Sequence, residues 1–353
     1  MLRLEMLPAA HGDALLVTWG TDGDPHRMLV DAGPLGTYRT VHDRIAALGD
    51  PPELDLLVVT HVDGDHIEGV IRLLQDRAAL GLRIGEVWFN GWPQLPQRDL
   101  LGADYGEMVG ALLHRDGIPW NTSFDGGPVQ VPAAPAPLPR VELPGGASVT
   151  VLGPGEPELL RLRSTWTKVL TDAGVTPGRA DEALERLDRR TDLDGVDVLG
   201  GRAKPDNSVA NLSSISLLVE HDGRSLLLTG DSHSAPLVSG ITRLLAERGQ
   251  ARLPVGAFKL PHHGSRGNLT DELLALVETE RYLVSTNGAR YEHPDRPALL
   301  QVLDHPQRPR SLELVFNYAA PTTARWLKRS TAQRYGYTPV PPAPDGTGAL
   351  VEV

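Results

Sequence analysis

Between residues 61 and 66 the chain places four side chains with metal-binding donors: His61, Asp63, Asp65 and His66. Left unliganded in one tight turn, the carboxylates repel each other. A divalent cation resolves that conflict, because imidazole nitrogen and carboxylate oxygen are its usual donors. Gly64 lets the backbone turn sharply between the two aspartates. The competing reading is a polar loop in which Thr60 or Asp65 caps a helix and the histidines are solvated.

The rest of the chain repeats the arrangement. A short apolar run ends, and a polar residue able to bind metal follows, at Asp31, His61, Asp231, His262 and His293. Such repetition is not expected of a purely structural protein. The local patterns say what positions these residues. Leu56 to Val59 reads as a strand buried on both faces. Ile67, Val70, Ile71 and Leu74 recur at helical spacing, so the donors sit between a strand's C-terminal end and a helix N-terminus, where open α/β sheets place their sites. Leu2 to Met6, residues 14–18 and residues 27–30 read as an antiparallel meander with a turn at His11-Gly12-Asp13. A helix is expected over 37–48, broken at Asp50-Pro51-Pro52.

Further strands are expected at 87–89, 149–152, 215–219, 225–228 and 282–285, and at 311–316. Asp222-Gly223 marks a hairpin turn. Helices are expected near 104–116, over much of 156–190 and near 296–304. Trp92 follows a strand end on the side where the donors gather, as a candidate substrate contact or as an aromatic under a loop. The segment 93–147 is loop-rich, with prolines clustered from Pro128 to Pro144. Residues 155–205 read as a charge-rich helical insertion, a lid or a surface for a protein partner. Asp192, Asp194 and Asp197 do not complete a calcium-binding EF-hand loop, since no Glu stands at the twelfth position. Residues 1–340 are expected to form a single domain, with 341–353 as a Pro-rich, mobile tail.

Composition narrows the chemistry. The chain has 353 residues, no cysteine and a formal net charge of −11. A thiolate nucleophile, a disulfide and a Cys-based zinc site are therefore excluded. The absence of cysteine and of a long apolar N-terminal segment fits a cytoplasmic protein. No apolar run approaches membrane-spanning length, so no membrane insertion is expected. The acidity argues against long duplex DNA as a partner.

The His61-x-Asp63-x-Asp65-His66 run, followed by Ile67-Glu68-Gly69, resembles the second signature motif of the metallo-β-lactamase superfamily, H-x-H-x-D-H. Here Asp63 stands at the second histidine position. In this form the run is similar to the hydrolase domain of ComEC-type DNA-uptake proteins and their free-standing relatives. Gly12-Asp13-Ala14 and Asp31-Ala32-Gly33 resemble the opening and the first motif of the same family. Thr229-Gly230-Asp231 and His262-His263-Gly264-Ser265 extend the likeness over most of the chain.

The resemblance implies an αββα sandwich with two mixed sheets and outer helices, and a centre of two divalent metal ions. His61 and Asp63 are the implied ligands of one metal, Asp65 and His66 of the other, and Asp231 bridges them. Either His262 or His263 joins the second metal, and the other donates a proton or binds substrate. His293 is a further ligand or acid. Asp65, His262, His263 and His293 are thus the catalytic candidates. Asp13 and Asp31 support the ligands from behind, and Ser265 holds a substrate oxygen or caps a helix. The superfamily usually supplies one more histidine before the bridging aspartate. Residues 200–215 contain none, and Asn207, Asn211 and Ser213 are the nearby polar candidates. A site richer in oxygen shifts the expected metal from zinc towards manganese or magnesium.

The expected function is a metal-dependent hydrolase in which a metal-bound hydroxide attacks a phosphodiester, as in a nuclease or nucleotide phosphodiesterase. Its partner is then a small phosphodiester or a single-stranded nucleic acid. The alternatives are an acyl hydrolase, such as a lactonase, thioesterase or β-lactamase, and a non-catalytic metal-stabilised binding module.

Overall fold

The computed structural model describes residues 1–95, 104–172, 178–189 and 207–353. Strands β1 (Leu2–Met6), β2 (Leu15–Thr21) and β3 (Asp24–Val30) form the expected meander. Helix α1 (Tyr38–Ala46) leads to β4 (Glu53–Val58), and α2 (Gly64–Leu80) leads to β5 (Arg83–Trp88); β4 and β5 continue the sheet in parallel. Helix α3 (Asp104–Arg115) follows.

The second sheet begins with β6 (Arg140–Glu142) and β7 (Ser148–Gly153). Helices α4 (Glu156–Asp172), α5 (Ala180–Arg189) and α6 (Asn207–Leu212) intervene before the hairpin of β8 (Ser216–His221) and β9 (Arg224–Leu228). Then come α7 (Ser234–Arg248), β10 (Leu253–Pro254), β11 (Ala257–Lys259), α8 (Asp271–Leu276), β12 (Val277–Glu278), β13 (Arg281–Val284), α9 (Arg296–Asp304) and β14 (Glu313–Phe316). Helices α10 (Pro321–Leu327) and α11 (Arg329–Tyr335) and strands β15 (Thr338–Val340) and β16 (Ala349–Glu352) complete the chain.

The first sheet runs β16-β1-β2-β3-β4-β5 and the second β15-β14-β13-β11-β9-β8-β7-β6, while β10 and β12 form a separate short pair. Each large sheet is an antiparallel meander (β1-β2-β3, β7-β8-β9) extended by parallel strands reached through helices. Strand periodicity sorts the side chains into layers. Leu2, Leu4, Met6, Leu56 and Val58 face the second sheet, meeting Val149, Val151, Leu217, Val219, Leu226 and Leu228. Leu57, on the other face of β4, packs under α1 and α2 with Val41, Ile45, Val70 and Leu74, and Leu54 at the start of the strand joins the same cluster. On the far side, Leu237, Ile241, Leu299 and Val302 cover the second sheet. The architecture is the αββα sandwich, with two mixed sheets and helices outside both.

Three regions differ from the sequence-based reading. Helix α7, with Leu237, Ile241, Leu244 and Leu245 on its buried face, occupies a stretch for which no element was anticipated. The segment 156–189 is two helices, and Leu159, Leu162, Trp166 and Leu187 join the core over the first sheet. The apolar face of the expected insertion is thus buried; residues 190–206, with Asp192, Asp194 and Asp197, lie outside the described residues. The C-terminal stretch is not a free tail: β16 pairs antiparallel with β1, Arg3 opposite Glu352 and Met6 opposite Ala349.

Glycines fix how closely two helices approach their sheets. A Cβ at Gly69 in α2 would overlap the Ala32 carbonyl oxygen, and one at Gly240 in α7 would overlap that of Leu152. Gly69→Ala and Gly240→Ala should each destabilise the fold by about 2–3 kcal/mol, whereas Gly36→Ala, where an added Cβ meets nothing within 4 Å, should change little. Urea denaturation of the three variants measures this; equal midpoints for all three would contradict the packing described.

Candidate metal centre

Segments that follow strands of both sheets meet at one edge. Asp31 leaves β3 with a left-handed backbone (φ 58°), which turns its carboxylate under the end of β4. Thr60 and His61 follow β4, and Asp63 stands extended just before α2. Gly12 lies against the Asp65 carbonyl, too close for any Cβ. From the second sheet come Asp231 after β9 and His262 and His263 after β11. Both histidines adopt left-handed conformations, φ 45° and φ 55°. Such strain, of order 1–3 kcal/mol per residue, persists only where the surroundings dictate it.

The hydrogen bonds assign the imidazole tautomers. Asp31 accepts from the Thr60 backbone N–H at 2.8 Å and the Thr60 hydroxyl at 2.6 Å. His66 Nδ1 lies 2.8 Å from the same carboxylate. Because the Thr60 hydroxyl donates to Asp31, it accepts from His61 Nδ1 at 2.9 Å. His263 Nδ1 donates to the Ser285 carbonyl at 2.6 Å. Asn268 donates its amide to the Asp231 and Ser232 carbonyls, so its Oδ1 faces His262 Nδ1, 3.2 Å away. In His61, His66 and His263 Nδ1 donates to a partner behind the ring and Nε2 is left for the site, and His262 Nδ1 is contacted from behind by the amides of Asn268 and Asn211. This is the arrangement of metal-binding histidines, whose second nitrogen is fixed by an outer partner.

The Nε2 atoms converge. Asp231 Oδ2 lies 3.4 Å from His66 Nε2 and 3.6 Å from His262 Nε2, and its Oδ1 lies 3.5 Å from His263 Nε2. His61 Nε2 faces Asp63 Oδ2 at 3.7 Å. A cation about 2.1 Å from each donor holds neighbouring donors roughly 3.0–3.4 Å apart, slightly less than these spacings. His66 Nε2, His263 Nε2 and Asp231 Oδ1 are buried and have no hydrogen-bond partner among the described residues, which is costly unless a ligand takes them up. The residues therefore fit a metal centre. Asp13, His66, Asp231 and His263 form one buried group of donors, and Asp31, His61 and His66 another.

Electrostatics agree with the geometry. Burial, then Asp65 and Asp231, push the Asp63 carboxyl well above the usual range, with His66 and Arg290 opposing. Burial resists ionisation of Asp231, but His263, His66 and His262 outweigh it and hold its pKa well below the ordinary value. His66 is driven the other way: burial disfavours its charge, yet Asp231 and Asp31 raise its pKa well above that of free imidazole. The field at this point favours positive charge, as a proton or as a metal ion.

Lys259, in the otherwise apolar β11, forms an ion pair with Asp13; both side chains are buried. Burial raises the Asp13 pKa, but Lys259, His263 and His66 together bring it below the ordinary value. Asp13 Oδ1 lies 3.6 Å from His263 Nδ1. The pair joins the β1–β2 turn of one sheet to β11 of the other.

The structure brings His61, Asp63, His66, Asp231, His262 and His263 together, with Asp13 and Asp31 beside them. Asp65, in the first turn of α2, is partly buried and lies outside both close donor groups. His293 sits at the rim, its ring 5.1 Å from that of His262 and its Nδ1 3.2 Å from Asp295. Asn211 Nδ2 is 3.3 Å from His262 Nδ1. The Ser265 backbone N–H closes the histidine turn on the His262 carbonyl. Trp92 packs beside Trp166, and the Arg163 guanidinium stacks 3.9 Å over its ring. Sequence reasoning missed Lys259, Asn268, Ser285 and the second role of Thr60. Only Lys259 carried a signal, a lone charge inside an apolar strand.

No family model matches this chain, and no curated sequence relative was found for it. Among solved structures it is similar to CmlA, a diiron β-hydroxylase from Streptomyces venezuelae, with 15% identity over 99% of this chain and 54% of that one, at a TM-score of 0.45. A mutant of the same β-hydroxylase matches with 14% identity over 100% of this chain and 54% of that one, at a TM-score of 0.43. The chain thus spans about half the length of these structures.

Removing one partner of a buried ion pair leaves the other charge uncompensated, at a cost of about 3–5 kcal/mol. Lys259→Met should therefore destabilise the protein by that amount, and adding Asp13→Asn should recover part of the loss. Guanidinium unfolding of both variants measures this. A Lys259→Met protein as stable as the unaltered chain would contradict the pairing.

Proposed function

We propose that this protein is a metal-dependent hydrolase with a two-metal centre, acting on phosphodiesters. One observation carries the reading: four histidines with Nδ1 contacted from behind direct Nε2 towards Asp231 and Asp63. In this reading His61 and Asp63 would hold one cation and His66 and His263 the other, with Asp231 between them. His262 supplies the nitrogen that the 200–215 segment lacks, since its Nε2 lies 3.6 Å from Asp231 Oδ2 beside Asn211. Asp65, at the start of α2 and outside the close donor groups, would be the further oxygen donor of the second position.

Divalent cations bound there would supply Lewis acidity and lower the pKa of a coordinated water, and a pair of them suits in-line displacement at phosphorus. The chain's own residues do the rest. Asp31 and Thr60 hold His61 and His66 in the tautomer that leaves Nε2 a donor. His293, anchored by Asp295, presents its other nitrogen at the rim for proton transfer. The net charge of −11 favours small phosphodiesters or single strands over long duplexes.

Asp231→Ala should lose at least one metal ion and reduce turnover by more than about 100-fold, because the group joining both positions is gone. His61→Ala and His66→Ala should each lower metal content by elemental analysis. Retention of full metal content and turnover in the Asp231 variant would overturn the assignment. The test of function is a panel of phosphodiester, lactone and thioester substrates with manganese, iron and zinc in parallel; turnover confined to the acyl substrates favours an acyl hydrolase, and metal binding without turnover favours a binding module.

Metal preference follows from donor hardness. Carboxylate oxygen at Asp63 discriminates less in favour of zinc than imidazole does. The metal-stripped protein should regain phosphodiester hydrolysis better with manganese than with zinc, and Asp63→His should move the preference towards zinc. Turnover against metal concentration for both proteins decides this; zinc outperforming manganese in both, without a shift, would show that hardness at this position does not govern the choice.

A further inference from the structure

The loop between β13 and α9 is firmly held. Asn287 N–H donates to the Ala10 carbonyl at 2.8 Å, Ala289 N–H to Asn287 Oδ1 at 2.9 Å, and Glu292 N–H to the Gly288 carbonyl at 3.1 Å. Gly288, at φ 67°, lies too close to Thr322 for any Cβ. This loop carries Arg290 at the surface. The guanidinium carbon stands 5.3 Å from the centre of the Tyr291 ring. No carboxylate pairs with it among the described residues.

From Arg290 a run of rings leads inwards. Tyr291 lies 6.1 Å from His293, His293 lies 5.1 Å from His262, and His262 Nε2 reaches within 3.6 Å of Asp231 Oδ2. His11, partly buried, meets Tyr291 edge-on at 6.1 Å. A positive charge without an acidic partner among the described residues thus stands on a well-anchored loop, at the outer end of the rings that lead to a centre of histidines and aspartates. Guanidinium presents a planar fork of donors that matches the oxygens of a phosphoryl group.

We propose that Arg290, backed by Tyr291 and flanked by His11, is an anion-recognition subsite that takes a charged phosphoryl oxygen of the substrate. It selects anionic phosphodiesters over neutral esters. The inference deepens the hydrolase reading and rests on it. The competing explanation is a solvated surface arginine that touches no ligand.

The test uses the full chain in manganese. Inorganic phosphate is titrated calorimetrically into the unaltered protein, Arg290→Gln and Arg290→Lys. Kinetics are followed on bis(para-nitrophenyl) phosphate and on a neutral phosphotriester, diethyl para-nitrophenyl phosphate. Arg290→Gln should weaken phosphate binding about 10-fold and raise KM for the diester by a similar factor, with kcat nearly unchanged and the triester unaffected. Arg290→Lys should recover part of the loss, since a point charge remains without the fork. Equal phosphate affinity in Arg290→Gln and the unaltered protein overturns the subsite, as does an equal loss on diester and triester. If Arg290→Gln weakens phosphate binding but the unaltered protein cleaves no diester with any metal, the subsite stands and the hydrolase reading falls.

Discussion

One buried carboxylate holds the first half of the centre in place. Asp31 takes the Thr60 backbone N–H, the Thr60 hydroxyl and the His66 ring on its two oxygens, and through Thr60 it also fixes His61. Without that anchor the two imidazoles would be free to rotate or exchange tautomers, and Nε2 would lose its direction. A carboxylate so deeply buried is itself raised in pKa by desolvation, which His66 and the Thr60 hydrogen bonds oppose. The left-handed backbone at Asp31 is part of the same arrangement, because an extended residue there would not turn its side chain beneath the end of β4.

The two halves of the sandwich use the same position for different ends. Asp31 follows the third strand of one meander and Asp231 the third strand of the other. The first points at the backs of two histidines; the second points at the fronts of three. The segments after the next parallel strands, β4 and β11, carry the histidines in both halves, and Gly69 and Gly240 allow the following or preceding helices the same close approach to a carbonyl. A repeated topology supplies matching frames, and the side chains placed on them meet the histidines from opposite ends.

Much of this was legible in the chain. Strand ends announced themselves as β-branched runs stopping at Asp, His or Thr, and the spacing from His61 to His66 implied a turn between strand and helix. What could not be read were relationships across the fold. The acceptor for His263 is a backbone carbonyl, at Ser285, and leaves no mark on composition. β16 reads as a tail because proline precedes it and its partner, β1, lies at the other end of the chain. Helix α7 did have a readable pattern, at Leu237, Ile241, Leu244 and Leu245, but Pro236 near its start and two interior glycine and serine residues weaken it. Trp92 looked like a pocket wall from its position after β5, and only the placement of α4 shows that Trp166 and Arg163 engage it instead.

The ion pair of Lys259 and Asp13 has a consequence for the order of assembly. The donors come from both sheets, so a cation at the centre would act as a cross-link between them, as it does in small domains that stay unfolded until metallated. Here the seam also contains a cation that is part of the chain. Lys259 brings its charge from the second sheet to a carboxylate of the first, beneath an apolar interface that already joins the layers. The two sheets thus have a charged tie of their own, and their docking would not require a cation at the centre.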